Sequence, residues 1–144
     1  MEQLILQLKR ILATSFAMYL KSHNFHWNVE GPDFPEYHEF LGNLYEEVYG
    51  SVDEIAEKIR MLGAYAPGSF VRYSELSEID DEVNVPVASQ MFLKLKADNE
   101  TLIGLIRDGI DIAEEAGEPA ISNYLQERLN AHQKHGWMLT SLTK

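Results

Sequence analysis

A chain of 144 residues that is 45% apolar has the length and composition of a single domain, residues 1–144, with its own core. It contains no cysteine, which excludes disulfide staples and thiolate metal sites and leaves His, Asp and Glu as the possible metal ligands. The net charge is −11 and the 12 Lys and Arg residues are scattered, so the basic stripe that displaces counterions from phosphate is missing and DNA binding is not expected.

The chain opens Met1-Glu2-Gln3-Leu4, without the basic-then-apolar layout of a secretory signal, and no apolar run approaches the ~18 residues that span a membrane. A soluble protein retained in the cytoplasm is the expectation. The first helix is predicted over Gln3–Asn28, with Leu4, Leu8, Ile11 and Met18 on its apolar stripe, stopping at Gly31-Pro32. The second starts near Asp33 and Pro35, carries Leu41, Leu44, Val48, Val52, Ile55, Ile59 and Leu62, and stops at Gly63.

Residues Ala64 to Pro86 form a looser stretch in which Ser74–Ile79 is the candidate for a short helix. The third long helix covers Val87–Ala116, set by Met91, Phe92, Leu95, Leu102, Ile106 and Ile110 and closed by Gly117. The fourth begins at Pro119 and carries Ile121, Leu125, Leu129, Leu139 and Leu142. Short links make the first and last pairs antiparallel hairpins, and a middle link of about twenty residues is long enough to run the length of a bundle. The expected fold is therefore all-α, a four-helix bundle of ferritin-like design with one long crossover.

Bundles that hold two irons inside one chain commonly use Glu-x-x-His on two helices, since residues three apart share a face. No histidine here has Glu three residues before it. The remaining donors are His26 at the end of the first helix, His38 near the start of the second, and Asp53 with Glu57 further along it. Asp53 and Glu57 are four apart and share a face, and fifteen helical steps leave His38 roughly 60° from Asp53. At ~1.5 Å per residue, however, Asp53 lies about 22 Å along the axis from His38, far outside metal-bridging reach. If two second helices meet antiparallel about a two-fold axis, the histidines of one copy oppose the carboxylates of the other, and each dimer forms two identical sites. Oxygen and imidazole donors of this kind suit iron, manganese or zinc.

Four blocks, in order, resemble the Dps family of mini-ferritins. They are His23-Asn24-Phe25-His26-Trp27-Asn28-Val29-Glu30-Gly31-Pro32-Asp33-Phe34, then Tyr37-His38-Glu39, then Val52-Asp53-Glu54-Ile55-Ala56-Glu57-Lys58-Ile59, and finally His132-Gln133-Lys134-His135-Gly136-Trp137-Met138-Leu139. The resemblance covers nearly the whole chain. It implies a homododecameric shell that oxidises Fe(II), with hydrogen peroxide in preference to oxygen, and stores ferric iron in its hollow interior, protecting against oxidative stress. The ligands it implies are His26 and His38 from one subunit with Asp53 and Glu57 from its two-fold mate.

Two departures stand out. The family places Asp or Glu four residues after the second histidine, where this chain has Gly42; Glu39 and Glu46 are the nearest substitutes. The alternative reading is thus the same shell with an impaired ferroxidase centre, serving a structural or metal-sequestering role. The lysine-rich N-terminal extension by which many relatives bind DNA is also missing, and Lys144 is the only basic residue at the C-terminus.

Other candidates have plainer readings beside the functional one. His23, His132 and His135 read as surface or interface residues, and Trp137 as a packing or interface anchor. Trp27 is ordinary packing or, on the resemblance, an interceptor of oxidising equivalents beside the iron site. Asp111, Glu114, Glu115 and Glu118 are solvated carboxylates by default, and in a shell Glu114 or Glu118 could line a three-fold channel that draws in cations.

Overall fold

Each apolar stripe of helical period becomes a helix with its stripe turned inward. In the computed structural model, which describes residues 1–144, α1 spans Glu2–Asn28, α2 Phe34–Met61, α3 Phe70–Leu76, α4 Ala88–Glu115 and α5 Pro119–Leu142, and there are no strands. The long helices end where the chain needs a residue at positive φ. Gly117 (φ 72°) donates its N–H to the Glu114 carbonyl and Glu118 donates to that of Ala113, which satisfies the last carbonyls of α4; Gly63 (φ 90°) and Ala64 close α2 in the same way. Asp33 occupies the N-cap position of α2, but its side chain makes no capping bond there.

Cross-helix bonds define the topology. Gln7 reaches the Leu105 carbonyl and Lys21 pairs with Asp98, so α1 and α4 run antiparallel. Glu47 bonds Arg128 and Tyr124 bonds the Ser51 carbonyl, so α2 and α5 do too. With α1–α2 and α4–α5 as hairpins, every neighbouring pair in the ring is antiparallel, and the link between α2 and α4 must travel the length of the bundle. That is the crossover of the ferritin-like design. The short helix in it forms earlier than Ser74–Ile79, because Ser69 caps Phe70–Leu76 by accepting a hydrogen bond from the Arg72 N–H (3.2 Å). The ring of Tyr73 stacks on Phe16 of α1 (4.7 Å), and the Glu78 N–H donates to Thr14 Oγ1, which ties the crossover down.

The core is one continuous apolar cluster including Leu8, Ile11, Phe25, Leu41, Leu44, Phe92, Leu102 and Leu125. Two polar systems cross it. Lys21 and Asp98 form an ion pair of 2.8 Å with both side chains nearly enclosed. Between α2, α4 and α5, Arg128 holds Glu47 in a two-point contact (2.7 and 3.0 Å), and the His135 Nε2–H donates to Glu47 Oε1 (2.7 Å). Arg128 also donates to His132 Nε2, the His132 Nδ1–H donates to Asn99 Oδ1, and the Asn99 amide donates back to the His132 carbonyl. His132 and His135 are therefore interior residues, 0% and 8% exposed, which corrects the reading of them as surface or interface residues. A histidine on a solvated stripe and one inside a polar network have the same local sequence; only the partners Glu47 and Asn99, 88 and 33 residues away, distinguish them.

This network makes the fold acid-sensitive. Burial, helped by the Arg128 charge, holds the His132 imidazole well below its ordinary value, so its contribution is complete above about pH 6.5 and is lost as pH falls below that. Burial alone would raise the Glu47 carboxyl, but the bonds from His135 and Arg128 outweigh it and hold the group far below the usual range, so its contribution is also lost on acidification. The thermal midpoint should fall from pH 7 to pH 5, and His132→Gln should lower the midpoint at pH 7 yet flatten that fall; an equally steep fall in the variant would contradict this. Glu47→Gln, which strips Arg128 of a partly screened counter-charge, should cost about 1–3 kcal/mol in denaturant unfolding.

Candidate metal centre

The turn after α1 folds α2 back so that its first residues lie beside the last turn of α1. Gly31, at φ 122°, makes the reversal, and the Phe34 N–H donates to its carbonyl (3.1 Å). This juxtaposes His26 and His38 in a reciprocal clasp. The His26 Nδ1–H donates to the His38 carbonyl at 2.7 Å, and the His38 Nδ1–H donates to the His26 carbonyl at 2.7 Å. A carbonyl can only accept, so both rings carry a proton on Nδ1, and neither Nε2 has a hydrogen-bond partner within the chain. The rings stack at 3.8 Å between centroids with planes 15° apart, and Phe34 stacks on the far side of His38 at 4.9 Å. Two imidazoles with anchored Nδ1–H groups and free Nε2 atoms are the arrangement that metal-ligating histidines adopt.

Gly42 faces the His26 ring of this pair. A Cβ built there would approach His26 Cε1 to 3.0 Å and Nδ1 to 3.2 Å. The space of the missing side chain is thus already taken by the His26 ring, which is fixed by its bond to the His38 carbonyl. Glu39 and Glu46 are exposed on α2, and neither hydrogen bonds to the pair.

Asp53 and Glu57 are exposed on the same unbroken helix, without an ion pair of their own; the adjacent Glu54 is the residue that meets Lys58. Within one chain no three His, Asp or Glu side chains converge on a metal position. The structure brings His26 and His38 together and leaves Asp53 and Glu57 as a separate pair about 22 Å along the axis.

Beyond the ligand candidates, His23 is half-buried and stacks on Tyr45 (3.8 Å), and Trp27, 59% exposed, packs its ring 3.9 Å from His23. Burial, with a smaller contribution from neighbouring His26, lowers the His23 pKa from its ordinary value. Tyr19 and Tyr45, neither of which the periodicity singled out, belong to this group; the four-residue spacing of Tyr19, His23 and Trp27 was the available signal. Trp137 is exposed in the single chain. Glu114 and Glu118 share a surface depression at the α4–α5 turn, where Ser122 donates to Glu114 (3.2 Å), while Asp111 and Glu115 are solvated. No helix is long and apolar enough to cross a membrane.

Residues 5–144 match the model of the ferritin-like domain family. The DNA protection during starvation protein of Brevibacillus brevis is 33% identical over 92% of this chain and 89% of its own length. The protein of the same designation numbered 2 in Bacillus anthracis is 32% identical, over 96% and 94%. Among solved structures, Dps from Thermosynechococcus elongatus superposes with a TM-score of 0.97 at 28% identity, covering 99% of this chain and 91% of that one. A Dps protein from Bacillus brevis gives 0.95 at 30% identity, over 99% and 96%. The all-helical fold with its long crossover, the paired histidines across the first turn and these matches along the whole length agree: the chain belongs to the ferritin-like domain family and, within it, to the Dps group of mini-ferritins.

Proposed function

We propose that this protein is an iron-oxidising and iron-storing mini-ferritin, assembled in the cytoplasm as a hollow homododecamer and protecting against peroxide. The observation that carries the reading is the reciprocal His26–His38 clasp, which leaves two Nε2 donors directed by carbonyl anchors and incomplete without a carboxylate. Asp53 and Glu57 of the partner subunit supply that half when two α2 helices pair antiparallel about a two-fold axis. Fe(II) is the substrate: the imidazoles select it over Mg(II) and Ca(II), and the carboxylates favour the harder Fe(III) that oxidation forms. Peroxide or oxygen accepts the electrons. Relatives bear names that refer to DNA protection, but a net charge of −11 without a basic stripe disfavours direct DNA binding and supports protection through removal of iron and peroxide.

The two-fold site has a direct test by mixing. A His26→Ala/His38→Ala chain and an Asp53→Asn/Glu57→Gln chain should each be inactive in Fe(II) oxidation by peroxide. Co-assembled in equal amounts, they should regain about one quarter of the wild-type sites, since a mixed dimer holds one intact pair of half-sites. No recovery in properly mixed assemblies would rule the shared site out.

Gly42 favours a second reading, in which the same shell sequesters iron but oxidises it slowly, because an anionic ligand is missing and the His26 ring fills its place. Gly42→Ala adds only the Cβ, and by displacing His26 it should weaken Fe(II) binding by about ten-fold, although Ala improves the helix by up to ~1 kcal/mol. Gly42→Asp adds the carboxylate as well. If its oxidation rate greatly exceeds that of the wild type, the native centre is impaired and the sequestering reading stands; a rate no higher than that of Gly42→Ala, which displaces His26 without adding a carboxylate, favours an active centre without that ligand.

A further inference from the structure

Two-fold pairing of α2 through the shared site sets the place of every other residue on that helix. His38 of one copy faces the midpoint of Asp53 and Glu57 of the partner subunit, position 55, so the axis crosses α2 halfway between positions 38 and 55, beside Glu46 and Glu47. Direction separates these two residues. Counted round the helix from His38 at about 100° per residue, Asp53 stands at about 60°, Glu46 at about 80° and Glu57 at about 100°. The face that turns the metal-binding carboxylates toward the partner therefore turns Glu46 with them. Glu47 points elsewhere, toward α5, where Arg128 and His135 hold it.

The single chain is shaped for a second copy on this face. Gly42 and Gly50 lie four residues to either side of Glu46, each about 40° from it round the helix. A Cβ at Gly50 would meet nothing within 4 Å, so no contact inside the chain requires a residue that weakens a helix interior. Bare backbone on both sides of a crossing point lets two helices approach closely. The ends of α2 are oppositely charged, with Glu36 in the first turn and Lys58 and Arg60 in the last, so antiparallel pairing sets acid against base at both ends. The centre is the exception. Glu46 is exposed and has no ion pair: Arg128 is engaged by Glu47 and Lys58 by Glu54, while the other titratable groups beside it, Tyr49 on α2 and Glu127 on α5, supply no cation. A second copy adds the same set by symmetry.

We propose that α2 of a second copy crosses α2 at Glu46, that the two Glu46 side chains face each other across the two-fold axis, and that this pair takes up a proton as the subunits associate. The crossing point rests on the iron reading above, because the shared site supplies the register. In that register the two Glu46 residues are offset along the axis by a single step, about 1.5 Å. Two carboxylates held together resist being ionised at once, so the associated state favours the form in which one of them carries a proton. Proton binding is then stronger in the pair than in separate chains, so association tightens as pH falls and loosens as pH rises. Glu47 and His132 act in the opposite sense, since their contribution to the fold is lost in acid. Acid therefore strengthens the contact between subunits while it weakens the bundle within each.

The absence of cysteine makes the crossing point readable by one substitution. In assembled Glu46→Cys protein each subunit carries a single thiol, and mild oxidation should convert most chains to covalent dimers that a reductant separates. Asn43→Cys, exposed on the same helix but about 10 Å along the axis from its own copy in this register, should give none. No covalent dimer from assembled Glu46→Cys protein overturns the crossing. Proton uptake is read by native mass spectrometry of the metal-free assembly, as the protein concentration at which single chains appear. For the wild type that concentration should fall about ten-fold from about pH 7.5 to about pH 5.5, and Glu46→Gln should be about ten-fold tighter at the higher pH and lose most of the change. A variant that keeps the wild-type pH dependence overturns proton uptake at Glu46. Fe(II) oxidation by the wild-type assembly separates the two claims. Covalent dimers without iron oxidation leave the crossing standing and remove the iron reading, and iron oxidation without covalent dimers does the reverse.

Discussion

The stiffness of α2 governs the candidate centre. Its 28 residues form one unbroken helix, and His38 and Asp53 are both fixed to it. No bend, loop or side-chain rotation closes an axial gap of about 22 Å, so the nitrogen and oxygen donors of one chain cannot share an ion. A two-fold axis crossing α2 solves the problem without new sequence, because an antiparallel copy brings the opposite end of the same rod alongside. The two imidazoles are held in fixed orientation, since each is bonded to the other residue's carbonyl.

The bundle interior offers a cation few free ligands. The space between α2, α4 and α5, where other ferritin-like bundles can place Glu and His ligands, contains Arg128 bonded to Glu47 and to His132. Glu47 is already neutralised by Arg128 and hydrogen bonded by His135, and the guanidinium donates to the one lone pair that His132 could offer. A cation entering this position would meet a fixed positive charge and no free donor. The same carboxylate and imidazole chemistry that could hold iron is used here to join three helices. The chain instead carries the unbonded Nε2 atoms of His26 and His38 at the α1–α2 turn.

Much of this was readable from residue order. The four long helices, the crossover and the histidine and carboxylate pairs follow from periodicity, breaker positions and spacing along a single helix, all of which are local. What could not be read depended on contacts between distant segments. His132 and His135 read as surface or interface residues because their partners, Asn99 and Glu47, lie 33 and 88 positions away. The short crossover helix was placed too late because Ser69, which caps it, sits before the segment that looked helical. Gly42 was visible as an absent ligand, but not as the residue that faces the His26 ring. The Tyr19–His23–Trp27 spacing was visible too, while the stack it belongs to required Tyr45 from the neighbouring helix.

The most direct test of the shared centre is anomalous diffraction at the iron edge from crystals of the assembled protein soaked in Fe(II) without oxygen. The account predicts a peak about 2.0–2.3 Å from the Nε2 atoms of His26 and His38 and from carboxylate oxygens of Asp53 and Glu57 of the partner subunit, repeated twice per dimer. A peak held by the residues of one chain alone, or two-fold contacts that leave Asp53 and Glu57 facing solvent, would contradict it.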